Sequence, residues 1–280
     1  VCGARRGPRR AARAPKAEAG PPVRLAILSD IHANLEALRA TLASVSAQGV
    51  DGIVCLGDIV GYHADPGECI ALLRGAGAVC VAGNHDRAVA GRITTEGFSA
   101  SAALGVAWTR PRLDADSLRF LAGLPLQARV GDSLVAVHGA LLPGGGGCDA
   151  TRLETAESRK LCFEALAGHP SGARTCAFGH THQLGIYEFP GDGVERVCAG
   201  DTVPLRGDAL YLINPGAVGQ PRGAERRATY VVLDTARRTA EVRRVEYDIE
   251  AALAKARSAG LLPPPPRRSP VRAAAAWGLR

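Results

Sequence analysis

The longest apolar runs in this sequence are strand-sized, and none approaches the roughly 20 residues that a membrane-spanning helix requires. Its eight cysteines include no Cys-x-x-Cys pair, which removes the usual thiolate spacing of a structural zinc site. Cys55 and Cys80 fall inside apolar, strand-like runs, where a thiol serves as a small hydrophobe. Residues 1–22 hold no apolar stretch of the kind a secretory leader carries, so reduced thiols and a cytoplasmic location are expected. Positive charge is missing where a nucleic-acid binder would need it. Of the net +7, residues 1–22 carry +5 and residues 263–280 carry +4, which leaves −2 on the 240 residues between. Nucleic acid is therefore not the expected partner.

Both ends are rich in Arg, Ala and Pro with little to bury, and read as disordered tails at 1–22 and 263–280. Residues 23–262 read as a single domain. Apolar runs at 23–28, 51–56 and 78–82 alternate with helical patterns at 34–46 and 65–74, the sign of a parallel sheet covered by helices. Residues 99–122 read as helix interrupted at Pro111, with Trp108 expected in the core. Strands are expected at 126–130, 134–138 and 175–178, with a helix at about 152–167 between them. The remainder reads mostly as β, at 183–189, 194–199, 209–213, 228–234 and 239–245, before a closing helix at 248–258. Gly144–Gly147 reads as a flexible surface loop. The fold class is α/β.

Five short motifs then carry metal-binding side chains in one order: Asp30-Ile31-His32, Gly57-Asp58, Gly83-Asn84-His85-Asp86, His138-Gly139 and Gly179-His180-Thr181-His182. Five of the seven histidines lie in this set. Each motif stands where an apolar run meets a loop, the end of an α/β strand at which ligand sites gather. Carboxylate, imidazole and amide oxygen without thiolate suit Mn, Fe, Zn, Co or Ni, and suit Mg less well.

Together these motifs resemble the calcineurin-like metallophosphoesterase superfamily. Asp30–Leu38 (DIHANLEAL), Gly57–Pro66 (GDIVGYHADP), Asn214–Arg222 (NPGAVGQPR) and Thr229–Asp234 (TYVVLD) are similar to a branch of small prokaryotic phosphodiesterase-like proteins. The resemblance implies a four-layer αββα sandwich of two mixed β-sheets flanked by helices. It implies two divalent transition-metal ions, with Mn2+ the expected activator. Asp30, His32 and His182 would hold one ion, Asn84, His138 and His180 the other, and Asp58 would bridge them. His85 would stabilise the transition state or protonate the leaving oxygen, with Asp86 orienting and charging its ring. The implied reaction is hydrolysis of a small phosphodiester by a metal-bridging hydroxide, with phosphomonoester hydrolysis as the alternative. A non-catalytic scaffold of the same fold is the reading from a different class, and the complete ligand set argues against it.

The chain departs from the superfamily's protein phosphatases, which typically follow Gly-Asp with an Asp-Arg-Gly and use Gly-Asn-His-Glu, because it has Gly57-Asp58-Ile59-Val60-Gly61-Tyr62 and Asp86 instead. The substrate-gripping arginine of that motif is thus missing. Arg222 is a candidate contact for a substrate phosphate, and Gly223 stands where related chains have an acid beside it. His63, five residues past Asp58, is a second candidate for the substrate cleft. Neither residue names the substrate, and oligomeric state is not legible.

Overall fold

The computed structural model describes residues 23–190 and 192–263. The expected tails lie outside the described residues, apart from Pro263. The alternating first half forms β1 (Arg24–Leu28), α1 (Leu35–Ser46), β2 (Gly52–Cys55), α2 (Pro66–Gly75), β3 (Val79–Cys80) and α3 (Asn84–Val89). Helices α4 (Ala100–Thr109) and α5 (Ala115–Gly123) follow, separated by a 3-10 turn at Arg110–Arg112. Next come β4 (Gln127–Val130), β5 (Leu134–Val137), a hairpin of β6 (Ala140–Leu142) and β7 (Gly146–Cys148), α6 (Ala156–Ala167) and β8 (Thr175–Ala177). The last stretch is β9 (Gly185–Phe189), β10 (Arg196–Val197), β11 (Thr202–Pro204), β12 (Leu210–Asn214), β13 (Ala228–Asp234), β14 (Thr239–Val245) and α7 (Ile249–Ser258).

Two mixed six-stranded sheets result, ordered β11-β14-β13-β1-β2-β3 and β10-β9-β12-β8-β5-β4. Strands β1, β2 and β3 are parallel neighbours, as are β12, β8 and β5, while the outer strands run antiparallel. The period-two alternation of β1 assigns its faces. Leu25 and Ile27 join Val54, Leu134, Ala136 and Ile213 in a core between the sheets. Ala26 and Leu28 turn the other way, to a second core under α1, α2 and α4. A third core, with Val135, Cys176 and Leu212, packs the far side of the second sheet against Phe163 and Leu166 of α6. Three cores separate four layers, so the αββα sandwich is the observed fold.

Three local expectations change. The Gly144–Gly147 segment is the turn and start of a hairpin, pinned where Gly139 N–H donates to the Cys148 carbonyl at 2.9 Å. Strand β11 was not legible because its three residues gain an identity only by pairing with β14. Trp108 is half-buried rather than core, with the Arg112 guanidinium 4.0 Å over its ring.

Candidate metal centre

Asp30, Asp58, Asn84, His138 and His180 all fall just past the carboxyl ends of β1, β2, β3, β5 and β8. Parallel order sets these ends side by side, and the ladder continues into the loops. Asp30 N–H donates to Gly57 O at 3.1 Å, His32 N–H to Asp58 O at 2.9 Å, and Gly179 N–H to His138 O at 2.7 Å. The 214–222 segment braces the site from the far side. Gly219 N–H reaches Asp30 O at 3.0 Å, and the Asn214 amide donates to Gly179 O and Thr181 Oγ1.

Asp30, His32, Asp58, His180 and His182 all adopt positive φ, between 51° and 65°. A non-glycine residue there gives up roughly 1–2 kcal/mol each, and such strain gathers at functional sites. Gly83 allows a close approach, since a Cβ on it would overlap the Asp58 carboxylate and backbone. Neither feature shows in the residue types alone.

The ligand atoms converge. One group of Asp30, His32, Asp58 and His182, and another of Asp58, His138 and His180, each hold their candidate ligand atoms within 4.8 Å of one another. Asp58 belongs to both. His182 Nε2 lies 3.2 Å from Asp30 Oδ1, while Asp58 Oδ2 lies 3.6 Å from His32 Nε2 and 3.4 Å from His138 Nε2. Three rings point Nδ1 at backbone carbonyls: His32 at Val60 O, 3.2 Å; His138 at Leu56 O, 2.7 Å; His182 at Gln220 O, 2.7 Å. An Nδ1–H donated there leaves Nε2 bare toward the centre, the arrangement that orients metal-ligating imidazoles. Asp30 Oδ1, Asn84 Oδ1 and His138 Nε2 are buried with no hydrogen-bond partner among the described residues. Buried polar atoms without partners are costly, and a cation between them would satisfy all three. The donor set therefore fits divalent transition metals.

Electrostatics agree with that fit. Burial alone would raise Asp58, but His138, His85 and His32 around it hold its carboxyl well below the usual range. Burial opposes charge on His138 too, yet the Asp58 carboxylate outweighs it and pushes the imidazole up to about 10. Burial first, then the charge of His138, drives His180 down to about 3, and burial keeps His32 well below its ordinary value. The metal-free cluster thus holds an imidazolium–carboxylate pair beside neutral His32 and His180.

Two expected partners stand elsewhere. Asp86 does not bond the His85 ring. Its Oδ1 accepts from Ile59 N–H at 2.9 Å and Val60 N–H at 3.2 Å, and its Oδ2 from Gly83 N–H at 3.0 Å. The side chain of Asp86 points back across the start of α3, so it ties two strand-end loops together. Burial, then the Asp58 charge, raises it to about 7. His63 is buried too, and its Nδ1 lies 3.2 Å from the His32 carbonyl, so it props the ligand loop and does not line the cleft.

A cleft of ≈ 810 Å³ opens over the cluster, lined by Asp58, Asn84, His85, His180 and His182. Arg222 lines it as expected, and Tyr62, Phe98 and Arg152 line it without having been foreseen. Arg152 donates to His180 O at 3.3 Å. Only the position of Tyr62 beside Gly61 in a ligand-bearing loop hinted at its place; Arg152 carried no signal.

A two-sheet α/β sandwich with hard and borderline ligands gathered at its strand ends defines a metallohydrolase. The sequence model of the calcineurin-like phosphoesterase superfamily domain matches residues 23–238, and the chain belongs to that superfamily and is a phosphoric ester hydrolase. It is 34% identical over 235 residues to an uncharacterized protein of Methanocaldococcus jannaschii, covering 82% of this chain and 90% of that one. A solved metallophosphoesterase from Sphaerobacter thermophilus superposes with TM-score 0.71 at 35% identity, over 86% of this chain and 96% of the other. A hypothetical protein from Pyrococcus horikoshii shares the fold at TM-score 0.66 and 17% identity, over 86% and 94% of the chains. No helix among the described residues is long and apolar enough to cross a membrane.

Proposed function

We propose that the chain is a dinuclear phosphodiesterase for a small substrate, with Mn2+ as its best activator in vitro. Asp30, His32 and His182 would hold one ion, Asn84, His138 and His180 would hold the other, and Asp58 would serve both. The observation that carries this reading is the membership of Asp58 in both ligand groups. Such ions, when bound, would supply a water of lowered pKa and a clamp for phosphoryl oxygens.

The chain's own residues do the rest. Burial lowers the His85 pKa, and no carboxylate bonds its ring, so a neutral imidazole faces the cleft. Its N–H donates to the oxygen on which charge grows as the ester bond breaks, which favours transition-state stabilisation over proton delivery. Arg222 and Arg152 stand ready for the remaining phosphoryl charge. An open cleft of ≈ 810 Å³ leaves room for both arms of a diester, which supports diester over monoester.

The test compares bis(4-nitrophenyl) phosphate with 4-nitrophenyl phosphate, with and without Mn2+. Metal-dependent turnover favouring the diester is expected, and His85→Ala should lower kcat by about 10²–10³ while metal content is kept. Monoester turnover well above diester would establish phosphomonoesterase activity instead, and loss of metal from His85→Ala would make that residue a ligand.

A further inference from the structure

Among the described residues, no hydrogen bond holds the ring of His85. Asp86 is committed to three backbone amides, and His85 Nδ1 is buried with no partner among the described residues. Rotation about the χ2 torsion of a histidine is broad and without sharp wells, so the ring plane needs an outside constraint. Packing supplies it. The Tyr62 ring lies 4.8 Å away at 39° and the Phe98 ring 5.2 Å away at 43°, with the His32 ring edge-on at 4.8 Å. Gly61 closes the edge, since a Cβ there would overlap His85 Nδ1.

One helix sets both aromatic walls. Phe98 directly precedes Ser99, whose hydroxyl caps α4 by accepting from Ala102 N–H at 3.2 Å. One turn on, Gly105 is buried so tightly that a Cβ on it would stand 2.7 Å from the Tyr62 nitrogen. Tyr62 itself is held at φ 61°, a conformation a tyrosine keeps only when its surroundings impose it. No hydrogen bond involves its hydroxyl among the described residues, so the ring is what this conformation delivers to the site.

We propose that α4 positions the imidazole of His85 through an aromatic clamp of Tyr62 and Phe98, which makes both positioning residues for the ester cleavage. This rests on the role given to His85 above. The clamp takes the place of a carboxylate that would orient such a ring. Because a misplacement of about 1 Å can cost on the order of 10²-fold in rate, distant changes in α4 should reach the chemistry.

The experiment measures kcat, KM and metal content of the Mn2+-loaded full chain on two diesters, one with a 4-nitrophenoxide and one with a phenoxide leaving group. Tyr62→Phe is expected to stay within about twofold of wild type. Tyr62→Leu, Phe98→Leu and Gly105→Ala should each lower kcat about tenfold or more on the phenyl diester and less on the nitrophenyl diester, with KM and bound metal unchanged. In a His85→Ala background the same three changes should have no further effect, the signature of residues that act through one group. Equal losses with and without His85 would overturn the clamp and leave the His85 reading intact, and so would a Tyr62→Phe loss as large as that of Tyr62→Leu. A His85→Ala variant with full rate would overturn both. Phe98→Leu and Gly105→Ala carry the same cycle if Tyr62→Leu does not fold.

Discussion

At the carboxyl ends of the strands, seven non-glycine residues sit at positive φ: Asp30, His32, Ala33, Asp58, Tyr62, His180 and His182. At the opposite end, among the described residues, Arg238 in the β13–β14 turn is the only one, and glycines such as Gly131 take the tight positions. Polar atoms differ in the same sense. The ligand end buries Asp30 Oδ1, Asn84 Oδ1 and His138 Nε2 without partners, while the far end shows exposed Arg129–Asp132 and Arg206–Asp208 pairs that satisfy each other. Backbone strain is therefore concentrated where a cation can offset it, and the exposed pairs of the far end are screened and of small worth.

The comparison breaks most sharply at Asp58. Asp58→Asn should cut kcat/KM by on the order of 10³ and abolish binding of the second ion, because the shared carboxylate is lost; equilibrium dialysis with metal analysis reads the stoichiometry. A glycine exchange probes both ends. Gly83→Ala would push a methyl into Asp58, so metal affinity should collapse, whereas Gly131→Ala meets open space at φ 58° and should cost only about 1–2 kcal/mol of stability in urea titrations.

Removing metal should act on one end alone. Chelation is expected to lower the melting temperature by the linkage expression, about 4 kcal/mol at a metal concentration 1,000 times Kd, and Asp58→Asn should blunt that shift in calorimetry. Acidity should act in the same place. The metal-free His138 ring, at about 10, holds a proton that an ion must displace, so apparent affinity falls by up to about tenfold for each pH unit below 10. The same raised value stabilises the metal-free fold fully below the unfolded histidine pKa of about 6.5 and ceases to do so as pH rises through about 10. Titration calorimetry in buffers of different ionisation enthalpy counts that proton. The smallest effect belongs to the far end: Arg129→Ala, with its side chain half exposed, should change stability by less than about 1 kcal/mol and leave turnover unchanged.

Much of this contrast was legible in one dimension. Apolar runs ending at Asp30, Asp58 and Asn84 marked the strand ends, because a fully buried parallel strand must read as continuous hydrophobicity. The candidate ligand residues were readable since metal chemistry restricts their types. What stayed hidden depended on partners distant in sequence. Asp86 stood beside His85 and was paired with it, but the turn into α3 aims its carboxylate at Ile59 and Val60. His63 read as a candidate for the substrate cleft and is buried under the ligand loop. The β6–β7 hairpin was masked by glycines whose pairing is set by Gly139 and Cys148.

By itself, then, the order of residues determined which groups are present, where the strands stop, and that the net positive charge lies in the two ends and not in the body between them. These are local properties, encoded in side-chain type and periodicity. Only the tertiary structure decided that Asp58 faces both ligand groups, that five of the ligand positions are held at positive φ, and that His85 rests between two aromatic rings instead of against Asp86. Those outcomes depend on backbone from five strand ends packing within hydrogen-bond reach, and no stretch of sequence carries that proximity alone.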